Sequence, residues 1–193
     1  MTTSVPEAKA RLRTTAQAAR ARAAAAGEAA VAEVRRRVIE DLELEPGQVV
    51  SGYWPLRDEL DPRPAMAALA AMGHSLCLPV VIGRDRPLVF RAWDDKTALQ
   101  PAAFGTMVPG PDCPVLEPEL LLVPLLAFDR RGFRLGYGGG FYDRSLAGLR
   151  ARGRVTAVGV AFAAQEVPEV PIEAADEKLD WIVTERESLR LAV

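Results

Sequence analysis

The chain has 193 residues, a formal net charge of −2 and a 49% hydrophobic, 26% charged composition. That length suits one domain with a sizeable core, and the composition is that of an ordinary globular protein. The near-neutral charge supplies no field that would gather nucleic acid or an acidic membrane, and no apolar run approaches the ~18 residues of a membrane span.

Residues 5–44 are predicted to be helical. Ser4 and Glu7 have capping-box spacing, Pro6 fits a first helical turn, and alanine and arginine dominate the rest of the region. Gly27 is expected to divide this region into two helices, and Pro46-Gly47 to end it. The basic opening lacks the apolar core of a secretory signal, and Glu7, Glu28 and Glu33 set it apart from a transit peptide.

A strand is predicted at 49–53, a helix at 62–72 stopped by Gly73, and strands at 75–81 and 87–93. Residues 95–118 are Pro-rich and are expected to form a surface loop with one short helical turn. The apolar run at 119–124 reads as a strand buried on both faces. A loop over 126–139, a helix over 141–152, a buried strand at 155–162 and a last short strand at 181–184 complete the chain. No repeat or linker interrupts it. The alternation predicts a single α/β domain over 1–193, with a mostly parallel central sheet flanked by helices and a long N-terminal helical region.

Cys77 and Cys113 have no metal-ligand spacing and read as free thiols of a cytoplasmic protein. His74 is the only histidine and is expected to be structural or solvent-facing, so a Cys/His catalytic pair has little to draw on.

The chemistry concentrates between Phe128 and Arg144. Gly136, Gly138, Gly139 and Gly140 let the backbone approach a ligand and turn its N–H groups outward, and a helix N-terminus stands behind them. Arg134 adds a forked donor suited to phosphate. The segment follows a buried strand, where open α/β sheets bind their ligands. It lacks the Gly-Lys-Ser/Thr of a Walker loop, and it has no acidic residue at the dinucleotide-binding spacing. The physical expectation is a phosphate-binding loop, with a glycine-rich tight turn that holds no ligand as the alternative. Asp143, directly after it, is a hard oxygen donor of the kind magnesium takes. Lys9 and Arg13, four apart on one predicted helix face, suit a polyphosphate, whereas Arg11 points elsewhere.

The run Val123-Pro124, Ala127-Phe128-Asp129, Gly132, Arg134-Leu135-Gly136, glycine turn, Phe141-Tyr142-Asp143 resembles the C-terminal motif of the 5-formyltetrahydrofolate cyclo-ligases, also called 5,10-methenyltetrahydrofolate synthetases. Three further segments are similar to that family: Lys9 to Arg13; Tyr53-Trp54-Pro55 with Glu59-Leu60-Asp61; and Val158 to Phe162 with Gln165, Pro171, Asp176 and Asp180 to Thr184. Together they span nearly the whole chain. Val108 and Ala175 depart from the commoner pattern, where an acid and a histidine stand.

The resemblance implies ATP-driven closure of 5-formyltetrahydrofolate to 5,10-methenyltetrahydrofolate, with ADP and phosphate released. It implies ATP contacts at Lys9, Ala10, Arg11, Leu12 and Arg13, and again at Arg134, Leu135, Gly136, Tyr137, Gly138, Gly139, Gly140, Phe141 and Tyr142. Trp54, Glu59, Tyr137, Gly138, Gly139, Gly140 and Phe141 are expected at the folate. Asp143 and Asp176 are expected to hold Mg2+, and Arg134 and Asp143 to be catalytic. Glu59 would accept the adjacent N–H donors of a pterin ring, and Trp54, Phe141 and Tyr142 would wall it. A monomer is expected, with no nucleic-acid or membrane partner. Two alternatives stand beside this reading. One is a related protein that binds nucleotide or folate without turnover, and the other is a different enzyme, such as a sugar-phosphate isomerase, on a similar scaffold.

Overall fold

A computed structural model describes residues 4–191. The N-terminal region forms α1 (Val5–Ala23), a 3-10 turn (Ala24–Ala26) and α2 (Gly27–Glu40), broken at Gly27. The capping box is formed, with the Ser4 backbone N–H donating to the Glu7 carboxylate at 3.0 Å. The remaining elements are β1 (Val49–Ser51), α3 (Arg63–Ala71), β2 (Ser75–Val80), β3 (Val89–Ala92), β4 (Leu99–Pro101), β5 (Met107–Pro109), β6 (Val115–Leu116), β7 (Leu120–Pro124), β8 (Ala127–Phe128), β9 (Arg134–Leu135), α4 (Phe141–Arg150), β10 (Thr156–Val160), β11 (Trp181–Val183) and β12 (Ser188–Arg190).

Eight strands form one sheet in the order β12-β11-β10-β7-β1-β2-β3-β6. The central pairs β11–β10, β10–β7, β7–β1 and β1–β2 are parallel, and antiparallel strands cap both edges. Alternate strand residues serve two cores. Val50, Leu76, Leu78, Leu120, Leu122 and Val158 pack under α2 and α3 through Val34, Val38, Met66 and Leu69. Cys77, Phe90, Leu121, Val123, Ala157 and Ile182 pack under α4 through Leu146 and Leu149. The sheet is thus covered by helices on both faces, the α/β arrangement expected from the sequence.

The strand order sets the site. From β1 the chain proceeds outward through β2 to one edge, and from β7 through β10 and β11 to the other. Strand order therefore reverses between β1 and β7, and a crevice outside their carboxyl ends is where such sheets bind ligands.

Three expectations need correction. The Pro-rich stretch 95–118 contains the expected 3-10 turn (Ala103–Gly105), but also β4 paired with β5, and β6 on the sheet edge. The loop 126–139 contains the small β8–β9 hairpin. A further edge strand, β12, follows the strand at Trp181. All of these strands are two or three residues long, too short for an alternation pattern to show.

Candidate active site

The loop after β7 owes its shape to Asp129, which is fully buried. Its carboxylate accepts from the backbone N–H groups of Arg131 at 3.0 Å, Phe133 at 3.2 Å and Val170 at 2.9 Å, and from the Arg131 guanidinium. This pins the β8–β9 hairpin, and the glycine segment 136–140 emerges from it into α4. Gly140 is the N-cap of α4 in the left-handed region (φ 63), and Gly138 also has positive φ (99). Both conformations disfavour a side chain. Among the described residues, no N–H group of 136–140 donates a hydrogen bond. Exposed N–H groups before a helix N-terminus form a cradle for an anion.

α1 lies across this cradle. Lys9, Arg13, Ala16 and Arg20 follow one another at helical spacing and face inward, whereas Ala10 and Arg11 are exposed on the opposite side. At 100° per residue these two cannot share the inner face, so the structure separates them from the loop. Leu12 packs with Ala16, Leu126, Leu135 and Val170. Arg13 donates through Nε to the Gly136 carbonyl at 3.0 Å, and its guanidinium lies above Gly138, 3.1 Å from where a Cβ would stand. Its two terminal nitrogens carry no hydrogen bond among the described residues, which leaves a forked cation over the cradle.

The two aspartates expected at the metal approach one another through their neighbours. Asp143 Oδ1 accepts from Arg134 Nη2 at 2.7 Å and from the Glu177 backbone N–H at 3.1 Å. Asp176 Oδ2 accepts from Lys9 Nζ at 2.6 Å and from the Glu173 backbone N–H at 2.7 Å. Lys9 also meets Glu173 at 2.8 Å. Burial opposes the Lys9 charge, but these carboxylates prevail and hold its pKa above the ordinary lysine value. Arg134 Nη1 donates to the Glu177 carbonyl at 2.6 Å, so both its terminal nitrogens are engaged within the protein. One oxygen of each aspartate carries no hydrogen bond among the described residues. Those residues assemble no cluster of three or more metal-type side chains. Two hard oxygen donors suit magnesium, which takes one or two protein carboxylates beside phosphate and water rather than an all-protein cage.

The loop after β1 carries Trp54 and Glu59. The Tyr53 hydroxyl donates to the Leu60 carbonyl at 2.6 Å, and the Leu56 N–H to the Glu59 carboxylate at 2.8 Å, so the loop closes on itself. Glu59 is buried, its side chain only 4% exposed. Burial pushes its carboxyl pKa up, against the Leu56 N–H, Arg20 and the Tyr137 hydroxyl, while Asp58 adds repulsion. Tyr137, from the glycine segment, reaches the same place and accepts a hydrogen bond from Arg20 at 2.7 Å. Trp54 meets Trp93 edge-on at 6.5 Å, with the Arg63 guanidinium 4.8 Å from its ring. Phe141 lies 6.2 Å from Phe104 and beneath Arg144, which also donates to the Gly139 carbonyl. The Tyr142 hydroxyl is buried without a hydrogen-bond partner, and burial pushes its pKa up.

The structure therefore gathers Arg13, the 136–140 backbone, Tyr137 and Glu59 around the crevice, with the Lys9–Asp176 and Arg134–Asp143 pairs alongside. Sequence reasoning misses Arg20 and Asp58, and it gives Asp129 no role of its own. His74 is buried at the end of α3, and Cys77 is buried with its thiol pushed up to about 12 by desolvation. Neither offers a nucleophile or base at the cradle.

An anion cradle with flanking cations and carboxylates, and no poised nucleophile, is the apparatus of a positional phosphoryl-transfer catalyst. The chain belongs to the 5-formyltetrahydrofolate cyclo-ligase family, whose model matches residues 5–185. It is 31% identical over 192 residues to a 5-formyltetrahydrofolate cyclo-ligase of Mycolicibacterium smegmatis, covering 95% of this chain and 97% of that one. It is 28% identical over 151 residues to the Haemophilus influenzae enzyme of the same name, covering 76% of this chain and 80% of that one. The NMR structure of Aquifex aeolicus 5,10-methenyltetrahydrofolate synthetase superposes with a TM-score of 0.75 at 28% identity, over 96% of this chain and 93% of that one. Two expectations from the sequence, the family and the α/β fold, are thus borne out.

Proposed function

We propose that this chain converts 5-formyltetrahydrofolate and ATP into 5,10-methenyltetrahydrofolate, ADP and phosphate in the presence of magnesium. The observation that carries the reading is that Tyr137 of the glycine segment and Glu59 of the loop after β1 meet at Arg20, beside the point where strand order reverses between β1 and β7. A ligand pair with a polyphosphate at one end and a fused ring bearing adjacent N–H donors at the other matches that layout.

The residue roles in this reading are as follows. The N–H groups of 136–140 and the free fork of Arg13 hold phosphate oxygens. Asp143 and Asp176 would hold a magnesium ion, which would supply charge neutralisation on the phosphates. Arg134 fixes the Asp143 carboxylate and the 177 carbonyl, so its part is to position rather than to grip phosphate. Glu59 accepts from the pterin, with Trp54 and Phe141 as flat walls.

The formyl carbonyl is a weak electrophile because it is an amide. Transfer of the terminal phosphoryl group to the formyl oxygen makes that oxygen a leaving group. The folate's own N10 then bonds to the formyl carbon, phosphate departs with the former formyl oxygen, and N10 loses its proton. Both nucleophiles belong to the substrate, so the protein contributes alignment and charge, as the absence of a Cys/His pair at the cradle requires. Substrate carrying oxygen-18 in the formyl group tests the sequence of bonds. The label should leave in phosphate; its appearance in water or formate would refute this route.

A further inference from the structure

Arg20 is the most deeply buried cation among the described residues, only 2% exposed. A guanidinium so enclosed is strongly destabilising unless its charge is met. Its Nη2 donates to Asp58 Oδ1 and to the Tyr137 hydroxyl, each at 2.7 Å, and its Nη1 lies 3.5 Å from Glu59 Oε1. Nε and Nη1 have no hydrogen-bond partner. The guanidinium also stands 5.6 Å from the centre of the Tyr137 ring. One cation from α1 thus joins the loop after β1 to the glycine segment after β9. Its charge lies beside the Glu59 carboxylate while two of its nitrogens make no hydrogen bond among the described residues.

We infer that Arg20 is a positioning residue for the folate: it holds Glu59 as an aimed carboxylate and ties Tyr137 of the nucleotide loop to the same point. The inference rests on the reading that Glu59 meets the pterin. The groups that face Glu59 are Arg20 from α1, the Leu56 N–H and Asp58 from its own loop, Tyr53 after β1, Tyr137 from the glycine segment and Tyr142 from α4. The tyrosines are neutral at working pH and Asp58 repels, so Arg20 is the opposite charge that, beside the Leu56 N–H, lowers the Glu59 pKa against burial. Without it the carboxyl takes up a proton at higher pH, turns from acceptor to donor, and no longer pairs with a pterin N–H.

The test is 5-formyltetrahydrofolate affinity of the full-length protein from pH 5 to 8.5, for the native protein, Arg20→Met and Arg20→Lys, with Mg·ATP affinity measured alongside. For Arg20→Met we expect the midpoint below which folate binding fails to rise by roughly one pH unit or more, and affinity at pH 7 to fall about tenfold. Mg·ATP affinity, which the tie to Tyr137 also touches, should fall less than folate affinity and without a shift in its pH dependence, and Arg20→Lys should restore the native midpoint. Arg20→Gln, uncharged but still a donor, carries the test if Arg20→Met does not fold. An unmoved midpoint in the uncharged variant, or equal loss of both ligands at every pH, overturns the inference while leaving the folate reading intact. Failure of the native protein to bind 5-formyltetrahydrofolate at all overturns both.

Discussion

Lys9 and Asp176 lie 167 residues apart in the chain, and their charged atoms meet at 2.6 Å. Arg134 and Asp143 make the matching contact at 2.7 Å. Each carboxylate proposed for the metal is therefore already held by a cation. Such pairs orient the carboxylates in advance, and orientation of ligands is worth about 10- to 100-fold in metal affinity. Asp143→Asn and Asp176→Asn should each raise the Mg2+ concentration for half-maximal turnover by at least about tenfold, read from a magnesium titration at saturating ATP. Unchanged titrations would remove both residues from the metal.

Gly138 tests the cradle. Its φ of 99 and the Arg13 guanidinium 3.1 Å from a built Cβ both oppose a side chain. Gly138→Ala should strain the loop by roughly 1–2 kcal/mol and displace Arg13, weakening Mg·ATP binding by about tenfold. Calorimetric titration with a non-hydrolysable ATP analogue reads this directly.

Glu59 predicts a conflict between function and stability. Its folded-state pKa is raised above the ordinary 4.5 by burial. The folded protein therefore holds that proton more tightly than the unfolded chain, a stabilisation fully present below the ordinary pKa and lost as pH rises through the raised one. Glu59→Gln, permanently neutral, should melt at or above the native protein at pH 8, and the difference should shrink towards pH 4.5. The same variant should lose folate binding. A melting temperature lowered equally at every pH would contradict this account of Glu59.

Asp129 belongs to the motif but touches no part of the cradle. Truncation to alanine leaves the backbone N–H groups of Arg131, Phe133 and Val170 without their acceptor. Asp129→Ala should cost about 3 kcal/mol or more, measured by urea unfolding. Asp143→Asn, at a more exposed position, should cost less.

The helices, the parallel strands and the exposed glycine segment were legible because each has a local signature. Ser4 and Glu7 announce α1, Pro46-Gly47 ends the helical region, and the apolar run before Pro124 can only be a strand buried on both faces. The glycines after Arg134 mark by composition a segment where the backbone takes left-handed conformations. The short strands of the Pro-rich stretch were not legible, since Leu99–Pro101 and Met107–Pro109 are too brief to alternate. Arg20 was hidden among the other arginines of α1, because burial of a cation is decided by partners far away in sequence, here Asp58 and Tyr137. One signal existed: Lys9, Arg13, Ala16 and Arg20 share a helical face, and Arg11 and Arg22 do not. Arg134 reads as a phosphate ligand from its place beside the glycines, yet its engagement with Asp143 and the 177 carbonyl depends on a segment more than 40 residues on.

The most direct measurement is the methenyl chromophore formed from 5-formyltetrahydrofolate, followed by absorbance with and without ATP and magnesium. The account predicts product only when both are present, with one phosphate released per product and a weaker signal in Asp143→Asn at limiting magnesium. Folded protein that forms no methenyl product with both present, or that forms it equally well without ATP, would contradict it.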